Sequence, residues 1–576
     1  MAQEQKEMLG ELLVKTGVLT KDQLNKGLEE HKKTGERLGN VLIRLGLLEE
    51  KDLLKTLESQ LGIPYVSLSN IKIEPSVISK IPANFIYTHN LIPVKEDNGV
   101  LTVAVSDPLD IHTIDDIRLL LGYEAKAVIS SKREIDSAIK KYYGVGAATM
   151  EKIVAESEEE HLAGEEVITA REKFDIGDMS SDASIIKFVN QIILEAFQSR
   201  ATDIHIEPFE DELRVRYRID GMLHEATTPP TIIRFHSAIV SRIKIMADLN
   251  IAEKRLPQDG RIKVKVTSQD IDLRVSVIPT IFGESVNIRI LSKSGTLLEL
   301  EQIGLPHDDL KKLNSLIKKP HGIILLTGPT GCGKTTTLYA CLSKINSIER
   351  KIITIEDPIE YQLRGISQMQ VKPQIALTFA SGLRSILRQD PDVIMVGEIR
   401  DAETAEISIR SALTGHLVFS TLHTNDAAGG ITRLTDMGIE PFLIASSIEG
   451  IIAQRLVRIL CARCKEPYKP ETDYLKQIGF HIPDEKGFKI YREKGCEECR
   501  HTGYKGRFAI FEILVITEPI KKLILEKASA GVIKREAQKL DMKTLRDAGW
   551  DKVKDGLTTI EEVLRVSEEE DAGIYI

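Results

Sequence analysis

Residues 328 to 336 read GPTGCGKTT, and no other stretch constrains the fold of this chain as tightly. The apolar run GIILLT precedes it and TTTLYACLSKI follows, so the local pattern predicts strand, loop, helix. Glycines at 328, 331 and 333 let the backbone take conformations closed to other residues. Successive N–H groups can then turn onto phosphate oxygens at a helix N-terminus. Lys334 is placed to neutralise β/γ-phosphate charge, and Thr335 to offer its hydroxyl to Mg²⁺. Gly328, Pro329, Thr330, Gly331, Cys332, Gly333, Lys334, Thr335 and Thr336 are the expected binding residues for ATP or GTP.

A chain of 576 residues with 42% hydrophobic and 28% charged residues is an ordinary globular composition, long enough for about four domains. The net charge of -9 argues against nucleic acid as the main partner, since phosphate backbones need a concentrated basic surface. The start MAQEQKEMLG has no apolar core, and no apolar run approaches the roughly 20 residues of a membrane helix, so a cytoplasmic location is expected. Four of the six cysteines form two Cys-x-x-Cys pairs, Cys461 with Cys464 and Cys496 with Cys499. Paired knuckles can supply four thiolates to structural zinc, with unmetallated thiols as the alternative.

Residues 1–62 contain a tandem repeat with a period of 29 residues, in which Leu9, Gly10, Gly17, Leu24 and Leu28 match Leu38, Gly39, Gly46, Leu53 and Leu57. Each copy reads as a short helix, a turn and a second helix, a pattern that also suits a plain docking module. Short β-like runs such as VLTVAVSD place a small α+β domain at 63–144, and AESEEEHLAGEE marks a flexible acidic linker over 145–180. In the α+β unit at 181–302 the strand ELRVRYRIDG alternates, with Leu213, Val215, Tyr217 and Ile219 on one face and Arg214, Arg216, Arg218 and Asp220 on the other. That basic face, with AEKRLPQDGR at 252–261, reads either as a solvated surface or as phosphate recognition.

The nucleotide-binding domain spans 303–576, with the cysteine subdomain at about 455–510. Three motifs follow the phosphate loop at strand ends: IITIEDPIE with Glu356, Asp357 and Glu360, DPDVIMVGEIRD with Glu398, and TGHLVFSTLHTND with His416 and His423. Ligands gather at the carboxyl ends of parallel strands, so these groups are expected to converge on Lys334, where a carboxylate can orient the attacking water. Taken singly, either histidine favours a structural role over a catalytic one. The terminal GLTTIEEVLRV starts a helix with Thr558 and Glu561 spaced as a capping box.

With these motifs in one order, the chain resembles the secretion ATPase superfamily, and within it the assembly (extension) ATPases of type IV pili and the similar type II secretion ATPases. The resemblance implies an α/β fold, a RecA-like P-loop ATPase domain joined to a PAS-like α+β domain, in a homohexameric ring that uses ATP and Mg²⁺. It further implies Glu398 as catalytic glutamate, with Glu356 and His423 beside it. Arginines of the smaller domain would reach the γ-phosphate, Arg216 and Arg218 first, then Arg234, Arg255 and Arg261. The implied partners are an inner-membrane platform protein and pilus or secretion basal-body proteins, with the ring peripheral to the membrane. The repeat resembles a cyclic di-GMP-binding N-terminal domain whose motif begins Arg-Leu-Gly and ends Gln. The second copy meets it at Arg37, Leu38, Gly39 and Gln60, whereas the first has Met8 and His31 at the corresponding ends. A nucleotide-gated scaffold that barely turns ATP over is the reading from another class.

Overall fold

The computed structural model describes residues 9–36, 38–68, 71–78, 80–106, 111–143, 174–175, 184–266, 269–292, 298–480 and 489–567. It divides the chain into two compact units, Met1–Ser292 and Lys293–Ile576.

The first unit begins with the repeat. Helices Leu9–Lys15 and Lys21–Thr34 form one copy, Leu38–Arg44 and Glu50–Leu61 the other. The 29-residue period recurs as packing: Leu13 and Leu42 are both fully buried, and Leu19 and Leu48 are buried beside them. A Cβ on Gly10 would come within 2.8 Å of Leu24, and one on Gly39 within 2.8 Å of Leu53. Glycine in each copy thus lets the first helix lie close against a leucine of the second without that side chain having to shift. Next comes a three-stranded sheet of Leu91–Asp97, Val100–Val105 and Glu124–Ile129, packed on helices that include Ile111–Leu121 and Lys132–Tyr143. The linker expected over 145–180 lies outside the described residues except for Phe174–Asp175, which pairs parallel with the strand Gln258–Val266.

That strand belongs to a seven-stranded sheet in the order Phe174–Asp175, Gln258–Val266, Gln269–Thr280, Gly283–Ser292, Ala201–Pro208, Leu213–Ile219, Met222–Glu225. Helices Ser184–Gln198 and His236–Met246 contribute to its core. Leu213, Val215 and Tyr217 point into this core, so the apolar half of the alternation selects the strand's buried face.

The second unit is built on a seven-stranded sheet ordered Ser367–Gln370, Ile352–Glu356, Val393–Val396, Leu417–Leu422, Gly322–Thr327, Ile448–Leu460, Tyr504–Val515. All neighbours pair parallel except the last two, which are antiparallel. Four consecutive strands, Ile352–Glu356, Val393–Val396, Leu417–Leu422 and Gly322–Thr327, are buried throughout, as expected of parallel strands covered on both faces. The fold is mixed α/β and RecA-like. Their carboxyl ends bring the three acidic and histidine motifs to the same edge as the phosphate loop.

The last helix, Ile560–Val566, departs from the sequence expectation by one residue. Its N-cap is Thr559, which accepts from the Glu562 amide, while Thr558 donates to the Arg458 carbonyl at 2.8 Å. Glu562 is drawn away from a capping role because its buried carboxylate receives both Arg458 and Arg565. Those guanidiniums outweigh burial and lower its pKa to about 2. No helix among the described residues is long and apolar enough to cross a membrane.

Candidate active site

The strand Gly322–Thr327 delivers the chain into the phosphate loop, and the helix Lys334–Ile345 carries it out. Gly328 has φ 147°, and a Cβ there would stand 2.6 Å from the Gln454 carbonyl, so the loop backbone lies directly on the neighbouring strand. Four hydrogen bonds hold this turn. Gln454 Nε2 donates to the Cys332 carbonyl at 2.9 Å while its Oε1 accepts from Thr337 Oγ1 at 2.8 Å. On the other side Thr327 Oγ1 donates to the Thr424 carbonyl and accepts from the Thr424 amide, both at 2.9 Å. The loop is thereby tied at once to the strand Ile448–Leu460 and to the segment that carries His423.

Lys334 Nζ donates to the Gly328 carbonyl at 2.6 Å and the Pro329 carbonyl at 3.1 Å, which holds the ammonium over the loop. Burial is the main reason that its pKa is lowered. Pro329, Thr330 and Gly331 are exposed, Cys332 is buried, and Thr335 and Thr336 are half-buried in the first helical turn. Mg²⁺ would be held through the Thr335 hydroxyl, which the helix start presents beside Lys334.

Glu398 follows the strand Val393–Val396. Burial would raise its carboxyl, but hydrogen bonds from Arg400 and His423 prevail and hold it below the usual carboxylate range. Arg400 Nη2 reaches Oε1 at 2.5 Å, and His423 Nε2 donates to Oε2 at 3.2 Å. The result is an ionised carboxylate, its side chain 13% exposed, oriented from two sides and close enough to raise the pKa of Lys334 against burial. His416 lies at the other end of the strand Leu417–Leu422, where Nδ1 bonds the Ser411 carbonyl at 2.8 Å. It is remote from the strand ends that gather the site.

Glu356 ends the strand Ile352–Glu356. Its carboxylate is buried, accepting from Thr354 Oγ1 at 2.5 Å, Gln368 Nε2 at 3.1 Å and the Tyr339 hydroxyl. Burial, reinforced by that hydrogen bond, raises the Tyr339 pKa and keeps the proton on the phenol. Glu356 thus fastens the loop-following helix to two strands.

In the other unit, Arg216 is engaged by Glu207 in a two-point pair at 2.8 and 2.9 Å. Arg218 donates to the Gly221 carbonyl at 3.0 Å and lies 3.9 Å from Asp203. Arg234 is exposed, and Arg255, 87% exposed, pairs with Glu253. Strand register brings out a row that the sequence pattern did not reveal: Arg261 opposite Arg274, Arg274 opposite Arg289, Arg289 opposite Asp203, and Asp203 opposite Arg218. Arg289 Nε donates to Asp203 at 3.0 Å.

The four cysteines converge at the root of the antiparallel ribbon formed by Ile448–Leu460 and Tyr504–Val515. Their sulfurs lie within 4.8 Å of one another, with Cys461–Cys496, Cys464–Cys499 and Cys496–Cys499 each at 3.8 Å. A tetrahedral ion with metal–sulfur bonds of about 2.3 Å has edges of about 3.8 Å, so the thiols fit a four-coordinate soft metal. Amides of Cys496 and Gly503 point at Cys499 Sγ, both at 3.2 Å, and against the effect of burial they help lower its pKa to about 7.

Of the proposed cyclic di-GMP residues, Leu38 and Gly39 begin the third helix and Gln60 lies near the end of the fourth. Arg37 lies outside the described residues. His31 Nδ1 bonds the Glu36 carbonyl at 2.5 Å.

Sequence reasoning missed Gln454, Arg455, Tyr339 and Gln368. The first two had a signal: a Gln-Arg pair inside the apolar run IEGIIAQRLVRIL is polar where a buried strand is not.

Residues 178–565 match the family described as "Type II/IV secretion system protein", and residues 61–149 the "MshEN domain". The latter match begins where the 29-residue repeat ends. The chain is 45% identical to the type IV pilus assembly ATPase PilB of Myxococcus xanthus, over 96% of this chain and 98% of that one. It is also 45% identical to type II secretion system protein E of Xanthomonas campestris pv. campestris, over 89% and 90% of the two chains. The solved ATPase DotB of Legionella pneumophila shares the fold, with a TM-score of 0.50 at 21% identity over 68% of this chain and 98% of that one.

Proposed function

The chain belongs to the type II/IV secretion system protein family and is one of its ATPases, and from that premise we propose that it drives pilin polymerisation into a type IV pilus. It would act as a homohexamer in the cytoplasm, peripheral to the inner membrane and working on a platform protein and basal-body proteins. The observation that carries this reading is the grouping of Lys334, Glu398 and His423 at the carboxyl ends of parallel strands around one phosphate loop, in a chain alike from end to end to a pilus assembly ATPase. Type II secretion is the second reading, favoured by equal identity to a secretion protein E, though over a smaller share of each chain.

In the proposed reaction the phosphate loop and Lys334 hold the triphosphate, and Thr335 holds Mg²⁺. When bound, Mg²⁺ neutralises charge on the phosphate oxygens. Glu398, kept ionised by Arg400 and His423, orients the attacking water and accepts its proton. Glu356 acts as a positioning residue through Tyr339. Among the arginines, the row Arg261, Arg274 and Arg289 is a better source of γ-phosphate contacts than Arg216. Register sets Arg274 between Arg261 and Arg289, three like charges that a phosphate would join, with Asp203 meeting Arg289 at one point while Glu207 meets Arg216 at two. The cysteines hold zinc, a closed structural site that ties the base of the ribbon together. Cyclic di-GMP is proposed as regulator, supported by the MshEN match and by Arg37, Leu38, Gly39 and Gln60. Docking is the role that remains for the repeat without it.

Glu398→Gln is expected to lower MgATP turnover by about 10²- to 10⁴-fold while nucleotide binding persists. In the same assay Arg289→Ala should lose about 10³-fold and Arg216→Ala far less. Near-parental turnover in Glu398→Gln would reassign the base. Elemental analysis of reduced protein should give one zinc per chain, lost in Cys461→Ser, and substoichiometric metal in the parent would remove the zinc reading. Titration of the full chain with cyclic di-GMP should show binding that Arg37→Ala weakens by about tenfold or more, the effect of one lost charged contact. Absence of parental binding at high micromolar ligand would leave the repeat as a docking module.

A further inference from the structure

The phosphate loop is flanked by a second buried cation that belongs to no nucleotide-binding motif. Arg455 follows Gln454 on the strand Ile448–Leu460, where that strand runs on past its parallel pairing of Ala453 with Thr327. Its side chain is buried with the residue 8% exposed, and its Nη1 would lie 3.0 Å from a Cβ placed on Gly328. The guanidinium is held by neutral oxygens, the Gln454 carbonyl at 3.1 Å and the Asn425 carbonyl at 2.6 Å. Among the described residues no carboxylate stands within the 4.0 Å of an ion pair, and Glu512 and Asp426 act on it only from farther away. A buried charge is costly unless compensated, and carbonyl dipoles compensate only in part.

We propose that Arg455 is the second cation of the phosphate site: from behind Gly328 it supplies positive charge to the phosphates of a bound nucleotide, and through Asn425 it links the loop to the His423 segment. Burial is the chief cause that lowers both Lys334 and Arg455, and the charge of Arg455 lowers Lys334 further. Bound phosphate removes that conflict by serving as counter-ion to both. Arg455 is accordingly a positioning and charge-supplying residue that acts across the loop backbone, distinct from the arginine row of the other unit.

The inference rests on the loop being the nucleotide site, so the parent's ADP binding is measured first; without it that reading fails, and this inference with it. Given parental binding, the full-length R455Q and R455M variants, which remove the charge, should bind ADP at least about tenfold more weakly, and R455K within about threefold of the parent. Melting temperatures measured without nucleotide should change little between R455K and R455Q, whereas the rise caused by saturating ADP should shrink only in the neutral variants. Either neutral variant decides the matter if the other does not fold. Parental ADP affinity in a folded neutral variant, or equal weakening in R455K and R455Q, would overturn the assignment, because the first removes the charge effect and the second makes it one of shape.

Discussion

The catalytic arrangement depends on a clamp around a turn of backbone. Gln454 bonds the Cys332 carbonyl and the Thr337 hydroxyl, and Thr327 and Thr424 exchange hydrogen bonds at the carboxyl ends of two parallel strands. A phosphate loop works because its N–H groups are already aimed when the anion arrives, and a backbone that had to be ordered at that moment would lose about 1–2 kcal/mol per residue. The clamp fixes the turn in advance. It also fixes His423, one residue before Thr424, and through it one oxygen of Glu398. In the proposed reaction, nucleophile positioning and phosphate binding are thus two ends of the same hydrogen-bonded unit.

The strand that supplies Gln454 and Arg455 has a second role. Its antiparallel ribbon with Tyr504–Val515 extends beyond the sheet to the four cysteines. Along that ribbon Glu512, buried and raised in pKa chiefly by desolvation, accepts from the first amides of two helices, at Ala427 and Leu545. Farther out, Arg458 reaches Glu562 on the last helix. The proposed metal at the ribbon's root would therefore brace a strand in direct contact with the phosphate loop, which would give a structural ion a consequence for the active site without any chemistry of its own.

What could be read from the sequence was what local spacing determines. The phosphate loop is defined by consecutive residues, the 29-residue repeat returns as equivalent Gly10–Leu24 and Gly39–Leu53 contacts, and alternation alone sorted Leu213, Val215 and Tyr217 from the arginines. What could not be read required pairing between distant segments. Glu356 was legible as a carboxylate at a strand end, but the three donors that enclose it come from the strand itself, the helix bearing Tyr339 and the strand bearing Gln368. The arginine row exists only in the register of five strands, which no single-strand pattern encodes. The last helix shows the same limit on a smaller scale. Thr558 and Thr559 are equivalent caps by composition, and the competition of Arg458 for both Thr558 and Glu562 selects the second.

The central claim is that hydrolysis is organised by this clamped loop with Lys334 at its centre. Release of inorganic phosphate from MgATP by the purified full-length chain, beside Lys334→Ala at the concentration that saturates the parent, tests it most directly. The account predicts steady, Mg²⁺-dependent release by the parent and its loss in the variant. No release by the folded parent, or undiminished release in Lys334→Ala, would contradict it.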